Sequence, residues 1–412
     1  MNEAKAELSG KVMNATVIVT GLGYFVDMFD FFLYNMVRTP SLKDLGLSGT
    51  ALTDAGLLVS NFQMAGILLG SFLWGILGDR FGRKRSLFAS IIVYSAASLG
   101  CGFVQDVDTY AVLRFVAGVG ISGELGAGVT LIAERMKAEG SRGIGVTLFI
   151  SMGFIGVLAA VLVVELVDWR TAYIIGGVAG FVLLIARTLI DESSLYTAAA
   201  LQSIRRGNLA VLLKKGNLHK YLAAIFIIAP GVFAPQIIWT LSPELSHAFG
   251  VEETVKANIV LGVGFTCVLF ADLIAIWLSE KFRSRRKAIK VMLSAAMTGF
   301  VIYLTVPFLF KLSYPLFLVL NGLMGLTMGL WIMGIIAAAE QFGTDIRATV
   351  ATTVPSFSRA LTIPMNLAFA SLKGIDPIFA VAAIGAVIFM LSFWGWRMIR
   401  ETYGKDLNYV ES

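Results

Sequence analysis

The chain has 412 residues, 57% of them hydrophobic and only 15% charged, with a mean hydropathy of +0.80 and a net charge of +6. Charge this sparse excludes an ordinary soluble domain and a disordered chain alike, and points to an integral membrane protein. The basic excess then faces anionic lipid headgroups, and no nucleic-acid partner is expected.

Apolar blocks recur at about twenty residues, the length a helix needs to cross roughly 30 Å of hydrocarbon. Twelve spans are expected, near 14–37, 54–77, 86–104, 109–132, 143–164, 171–190, 221–242, 256–279, 288–310, 315–338, 348–370 and 377–397. Unbroken runs of this length favour helices over barrel strands, which are short and alternate. Of the 33 lysines and arginines, 25 fall on the side of the N-terminus, 6 on the other side and 2 within spans. That asymmetry places both termini in the cytoplasm. Cys101 and Cys267 fall inside spans, and His219 and His247 are read as loop residues. Neither a disulfide framework nor a metal cluster is expected.

Span 1 contains GLGYFVDMFDFFLYN, with Asp27 and Asp30 three residues apart on one helical face that Tyr24 and Tyr34 extend. An ionisable group inside a bilayer costs about 2.5–3.5 kcal/mol on insertion scales and usually faces a cavity with a task. A carboxyl there that gains and loses a proton can couple proton flow to transport. No span carries a histidine, so carboxylates are the proton carriers available. Span 2 adds Gln63 as a cavity-lining candidate. Span 4 reads RFVAGVGISGELGAG. Arg114 is the expected counter-ion of the aspartates, Glu124 a second proton relay, and Gly118, Gly120 and Gly123 a close helix contact. Those glycines match GxGxxG, but no strand precedes them and no dinucleotide site follows.

In the second half, Gln236 of span 7 and Trp331 of span 10 are further cavity-lining candidates. Asp272 of span 8 is expected to pair with the basic loop that follows it. Gly322, Gly325 and Gly329 form a packing stripe on span 10. Arg359 lies near the middle of span 11 between Pro355 and Pro364, which loosen the helix. A guanidinium there suits a carboxylate or phosphate held through two hydrogen bonds. The competing reading is an internal ion pair with Asp27, Asp30 or Glu124.

The chain also repeats itself. GSFLWGILGDRFGRKRS (70–86) and ADLIAIWLSEKFRSRRK (271–287) match at an offset of 201, and AERMKAEGSRG (133–143) echoes AEQFGTDIRAT (339–349). A third echo links DESSLY after span 6 to RETYGKDL after span 12. Two homologous halves follow: a six-helix bundle over 1–190, a basic linker over 191–220, and a second bundle over 221–412. Duplicated bundles of this kind place substrate near the midplane between the halves.

Gly78, Asp79, Arg80, Gly82 and Arg83 in GDRFGRKR resemble the loop signature between helices 2 and 3 of the major facilitator superfamily. Glu192-Ser193 and Glu401-Thr402 resemble marks at the ends of its halves. The resemblance implies an all-α membrane fold of twelve helices in two six-helix bundles that rock about a central cavity. It also implies a conformational latch. Its first copy comprises Gly78, Asp79, Arg80, Gly82, Arg83, Glu134 and Arg142, and its second Glu280, Arg285, Glu340 and Arg347. In the second copy Gly78 and Gly82 give way to Ser279 and Arg283, so a weaker latch is expected.

Span 1 and Glu124 in span 4 resemble the carboxylic-acid proton symporters of that superfamily, the aromatic-acid and sialate porters. The reading is a secondary transporter, not an enzyme: no nucleophile–base set, metal spacing or phosphate loop is present. It is expected to carry a small organic anion with a proton as coupling ion and no cofactor. Asp27, Asp30, Arg114 and Glu124 would serve the proton; Arg359, Tyr34, Gln63, Gln236 and Trp331 would serve the substrate. Proton-coupled sugar or polyol uptake is the alternative. A monomer in a bacterial inner membrane is expected.

Overall fold

A computed structural model of the chain describes the backbone of residues 2–81, 83–123, 139–189, 215–326, 328–343 and 347–404. Side chains are described from Ile18 onward, except 19, 75, 78–84, 124–148, 186–216, 327, 344–348, 352 and 405–412. Every expected span coincides with helix. The first half holds Asn2–Asp44, Gly49–Phe81, Arg83–Cys101, Val107–Ile121 (the start of span 4), Glu139–Leu166 and Trp169–Leu189. The second half begins with span 7, in three pieces: Lys215–Ile227, Pro230–Phe233 and a π-helical turn Ala234–Trp239. Ala257–Phe282 and Arg285–Leu309 follow as spans 8 and 9. Span 10 is split into Tyr314–Leu326 and Leu330–Glu340, and span 11 into Arg347–Ala360 and Thr362–Leu372. Pro377–Met398 is span 12. Among the described residues there is no strand. His219 and His247 are helical, not in loops; His247 belongs to a short helix, Ser242–Ala248.

Spans 1–6 lie chiefly against one another, as do spans 7–12. The halves meet where span 5 crosses span 8 and where span 2 crosses span 11. Large apolar side chains such as Leu166, Ile185, Phe270, Trp277 and Met390 point outward, while Asp27, Asp30, Arg38, Arg114 and Arg359 are buried. That inversion of the soluble pattern suits a molecule whose solvent is lipid. Between lipid-facing helices there is little hydrophobic drive, so contact comes from close approach of small residues. Gly118 sits so near the span 2 carbonyl of Gln63 that a Cβ would not fit, and Gly66 sits equally close to the span 4 carbonyl of Phe115. The expected stripe on span 10 does the same, with Gly325 against the Gly264 carbonyl of span 8.

We call the membrane face at which span 1 begins and span 12 ends the terminal face. There the second copy of the latch is described. Arg285 reaches Glu280 (3.3 Å) and Glu340 (3.4 Å), so this cluster closes within its own half. Gly78, Asp79, Arg80, Gly82, Arg83, Glu134, Arg142, Arg347 and the relay candidate Glu124 lie outside the residues whose side chains are described, as do Glu192 and Ser193. The end mark of the second half has a local physical role. Ser284 caps span 9 by accepting from the Lys287 N–H. The Glu401 carboxylate accepts from the Ser284 hydroxyl and from the backbone N–H groups of Arg285 (2.9 Å) and Arg286 (3.4 Å). An anion at a helix N-terminus satisfies its orphan donors and meets the positive end of its dipole. Thr402 donates to Glu340 at 2.6 Å, tying the same mark to span 10.

Partial burial pushes the Glu401 carboxyl up, but the hydrogen bonds from Ser284 and from the Tyr403, Arg285 and Arg286 N–H groups outweigh it and hold the group below the ordinary carboxylate range. A depressed folded value stabilises the fold above the unfolded value and loses that contribution as pH falls. Glu401→Gln is therefore expected to cost about 1 kcal/mol at neutral pH. Melting curves of both proteins in detergent should converge on acidification below the usual carboxylate range; a gap that persists there removes the charge argument. A second prediction concerns Arg283, where span 8 ends at φ 45°, the left-handed conformation. Its counterpart in the first repeat is Gly82. A side chain there costs roughly 1–2 kcal/mol, so Arg283→Gly should raise the melting temperature.

Candidate functional site

The halves enclose a cavity of about 480 Å³, a volume that includes its opening to solvent. It is lined from the first half by Met28, Phe31, Phe32 and Phe154, and from the second by Gly231, Val232, Pro235, Gln236, Trp239, Phe265, Val268, Met328, Trp331 and Arg359. The broken spans surround it. Pro230 and Pro235 frame the interrupted part of span 7, Met328 follows the gap in span 10, and Arg359 closes the first piece of span 11. Irregular backbone is tolerated at this depth where protein or a cavity covers it.

Arg359 is 5% exposed. Its guanidinium carbon lies 4.9 Å from the Phe31 ring centroid and 5.5 Å from that of Trp331, and one terminal nitrogen is 3.7 Å from Met28 Sδ. None of the ion pairs among the described residues includes it. Ring faces attract a cation by about 0.5–2 kcal/mol when desolvated, well short of what a carboxylate would supply.

Asp30 and Arg114 are both fully buried and pair at 3.2 Å. Arg114 also donates to the Asp30 carbonyl (3.0 Å), and Ser98 donates its hydroxyl to the same carboxylate. Tyr173 presents its ring to the guanidinium at 5.5 Å. The pair lies wholly inside the first half and does not line the cavity. Asp27, one turn earlier, is 2% exposed and lies near Tyr24, which is within electrostatic range of Arg359 as well.

Of the cavity candidates, Gln236 and Trp331 line the wall. Tyr34 and Gln63 do not, which corrects their reading as cavity-lining residues. Tyr34 donates to the Gly56 carbonyl (2.8 Å) and packs edge-on against Tyr110. Gln63 donates to the Phe31 carbonyl (3.1 Å) and so joins span 2 to span 1. Asp272 makes no ion pair with the described residues of the basic loop after span 8; Arg285 there is taken by Glu280 and Glu340.

The face opposite the termini carries polar contacts that run from half to half. Arg38, 1% exposed, reaches both Glu244 oxygens at 2.7 Å and the Thr240 carbonyl at 3.2 Å. Thr53 donates to the same glutamate (3.2 Å). Asn35 donates to Gln236 at 3.0 Å, Asn366 to Asn61 at 2.8 Å, Lys256 to Glu165 at 3.2 Å, and Lys373 to Asp54. Sequence reasoning missed the Arg38–Glu244 bridge, counting Arg38 only as a loop charge. The signal available was an arginine at the end of span 1 and a glutamate just past span 7, the symmetry-related span.

Two helical bundles around a cavity, bridged by polar contacts across one face, have the architecture of a membrane transporter. The chain belongs to the Major Facilitator Superfamily, whose family model matches residues 20–365. A Bacillus subtilis protein assigned to niacin/nicotinamide transport is 26% identical over 83% of this chain and 84% of its own length. The niacin transporter of Acinetobacter baylyi is 31% identical over 45% of this chain and 42% of its own. A Cupriavidus pinatubonensis protein assigned to 4-methylmuconolactone transport is 24% identical over 93% of this chain and 89% of its own. The crystal structure of a D-xylose–proton symporter superposes with a TM-score of 0.69 at 17% identity, covering 95% of this chain and 99% of that one, and shares the fold. The protein is a multi-pass membrane transporter of a small molecule.

Removing one partner of a largely buried ion pair strands the other. Arg38→Ala is expected to weaken closure of this face by on the order of 2 kcal/mol, since Glu244 is partly exposed. The readout is a single cysteine placed at Asn35 in a protein lacking Cys101 and Cys267. Its labelling by a membrane-impermeant thiol reagent should rise at least tenfold; unchanged labelling would show that the bridge does not hold the face shut.

Proposed function

We propose that the protein moves a small, flat organic monocarboxylate across a cell membrane together with a proton, by alternating access. The observation that carries this reading is Arg359: a buried guanidinium in the cavity wall, resting on ring faces instead of a carboxylate. A substrate carboxylate would supply the two charge-assisted hydrogen bonds that the site leaves open. Phe31, Phe32, Phe154, Trp239, Phe265 and Trp331 bring ring surfaces to the same cavity, and offset or edge contacts with rings favour a planar guest. The relatives assigned to niacin, a pyridine carboxylic acid, fit that chemistry.

The coupling ion in this reading is the proton, and no cofactor takes part. Asp27 shares the region of Arg359, so filling or emptying the arginine site alters the charge around it. The Asp30–Arg114 pair supplies a second carboxylate one turn further along span 1. Gln236 hydrogen-bonds across the halves and lines the cavity, which lets substrate contact bear on closure. With the terminal face in the cytoplasm, the orientation that the lysine and arginine distribution supports, the Arg38–Glu244 bridge closes the outer side of a monomer.

The test is ligand-induced thermal stabilisation of purified protein with niacin, nicotinamide and neutral sugars, on wild type and Arg359→Ala. A ligand at about a hundred times its dissociation constant stabilises by about 2.7 kcal/mol. Niacin should stabilise wild type more than nicotinamide, which has the same ring without the charge, and Arg359→Ala should level the two. A neutral sugar that stabilises both proteins equally would overturn the anion reading.

A further inference from the structure

Span 8 turns a buried stripe toward the interior: Leu261, Phe265, Val268, Asp272, Ala275 and Ser279 recur at helical spacing and are each under 5% exposed. Phe265 and Val268 line the cavity. Asp272 follows Val268 by one turn toward the terminal face, on the same side of the helix. It is 3% exposed, and its Oδ1 has no hydrogen-bond partner among the described residues. None of their ion pairs includes it.

Among the described residues, the charged groups on spans 5, 9 and 10 are engaged elsewhere or, like Lys287, exposed. On span 9, Arg285 is held by Glu280 and Glu340, while Arg286 and Lys290 lie over Trp396. On span 10, Glu340 is held by Arg285 and Thr402. The described part of span 5 carries Glu165, which bonds Lys256 and Asn258 at the opposite face. The cavity segment of span 7, residues 230–239, has no ionisable side chain. Span 1 contributes Tyr24 and Asp27. Tyr24 lies within electrostatic range of Arg359, Asp27 and Asp272 together.

A carboxylate in that place is desolvated and pairs with no cation among the described residues, a state that binding a proton relieves. We propose that Asp272 is a proton-binding site of the second half, separate from the Asp27, Asp30 and Arg114 group of the first. The carboxylate takes a proton from cavity water to become the neutral acid, and returns it to water when the cavity opens toward the terminal face. Its consequence for transport rests on the proton-coupled reading above; the protonation itself needs no substrate.

Infrared difference spectra of the purified full-length protein, wild type minus Asp272→Asn, read that protonation directly. At neutral pH the expected difference is one protonated-carboxyl C=O band, lost on alkalinisation and shifted in Asp272→Glu. The absence of that band would overturn the proposal, because Asp272 would then be ionised and paired. The Glu variant asks the same question should the Asn variant fail to fold: an unmoved band also overturns it. In proteoliposomes, Asp272→Asn is expected to keep substrate counterflow within about twofold and to lose proton-driven accumulation at least tenfold. Equal loss of both would assign Asp272 a structural role. Failure of the niacin experiment leaves the infrared result unaffected, so the two readings fall separately.

Discussion

Every charge placed in the bilayer must recover the hydration it gives up, and that constraint orders this molecule. Arg114 meets it with Asp30, Ser98 and the Tyr173 ring inside one bundle. Arg38 meets it with Glu244 from the other bundle, which makes the pair dependent on how the halves sit. Arg359 meets it only in part, through ring faces. The fully paired arginine lies inside one bundle, the cross-paired one joins the two bundles, and the incompletely paired one faces the cavity.

The internal repeat gives that arrangement its geometry. Asn35 and Gln236 are 201 residues apart and hydrogen-bond each other, and 201 is also the offset that aligns the two halves. Equivalent residues of two related bundles can touch only at the axis that relates them, so this contact marks the pseudo-twofold axis on the face opposite the termini. The crossings of span 5 with span 8 and span 2 with span 11 are symmetry mates of each other about the same axis. Divergence lies away from it: Asp30 of span 1 corresponds to Gly231 of span 7 at that offset, and Arg359 of span 11 corresponds to Gly153 of span 5 at the offset of 206 set by the second echo. Each half gives up a charge where the other carries one, and the cavity becomes asymmetric while the scaffold stays symmetric.

Much of this was legible in the sequence because hydrophobic length, repetition and isolated charge are one-dimensional signals. The spans, the two halves, the Asp30–Arg114 pair and the position of Arg359 within its span all follow from them. Tyr34 and Gln63 were misplaced for a physical reason. Helical periodicity shows which side chains share a face, but not which neighbouring helix occupies it: span 2 covers the Tyr34 side of span 1, and Gln63 of span 2 turns to span 1 instead of the cavity. The Arg38–Glu244 bridge escaped because each residue sits at a span end, where a charge ordinarily needs no partner. Only the docking of the halves buries them.

The end mark Glu401-Thr402 shows how a motif can be reduced to local physics. Its glutamate caps span 9 while its threonine holds Glu340 of span 10, and Arg285 joins Glu340 to Glu280 of span 8. Three spans of one bundle are thereby tied at the terminal face by hydrogen bonds that do not cross to the other half. A bundle that moves as a unit needs such internal ties, because a rocking motion transmits closure only if each half resists deformation. The contacts that change with conformation then belong between halves, and the described ones are the polar bridges of the opposite face. Among the described residues, the ties within the second half lie at the terminal face and the bridges between halves at the other, with the Arg359 cavity between them.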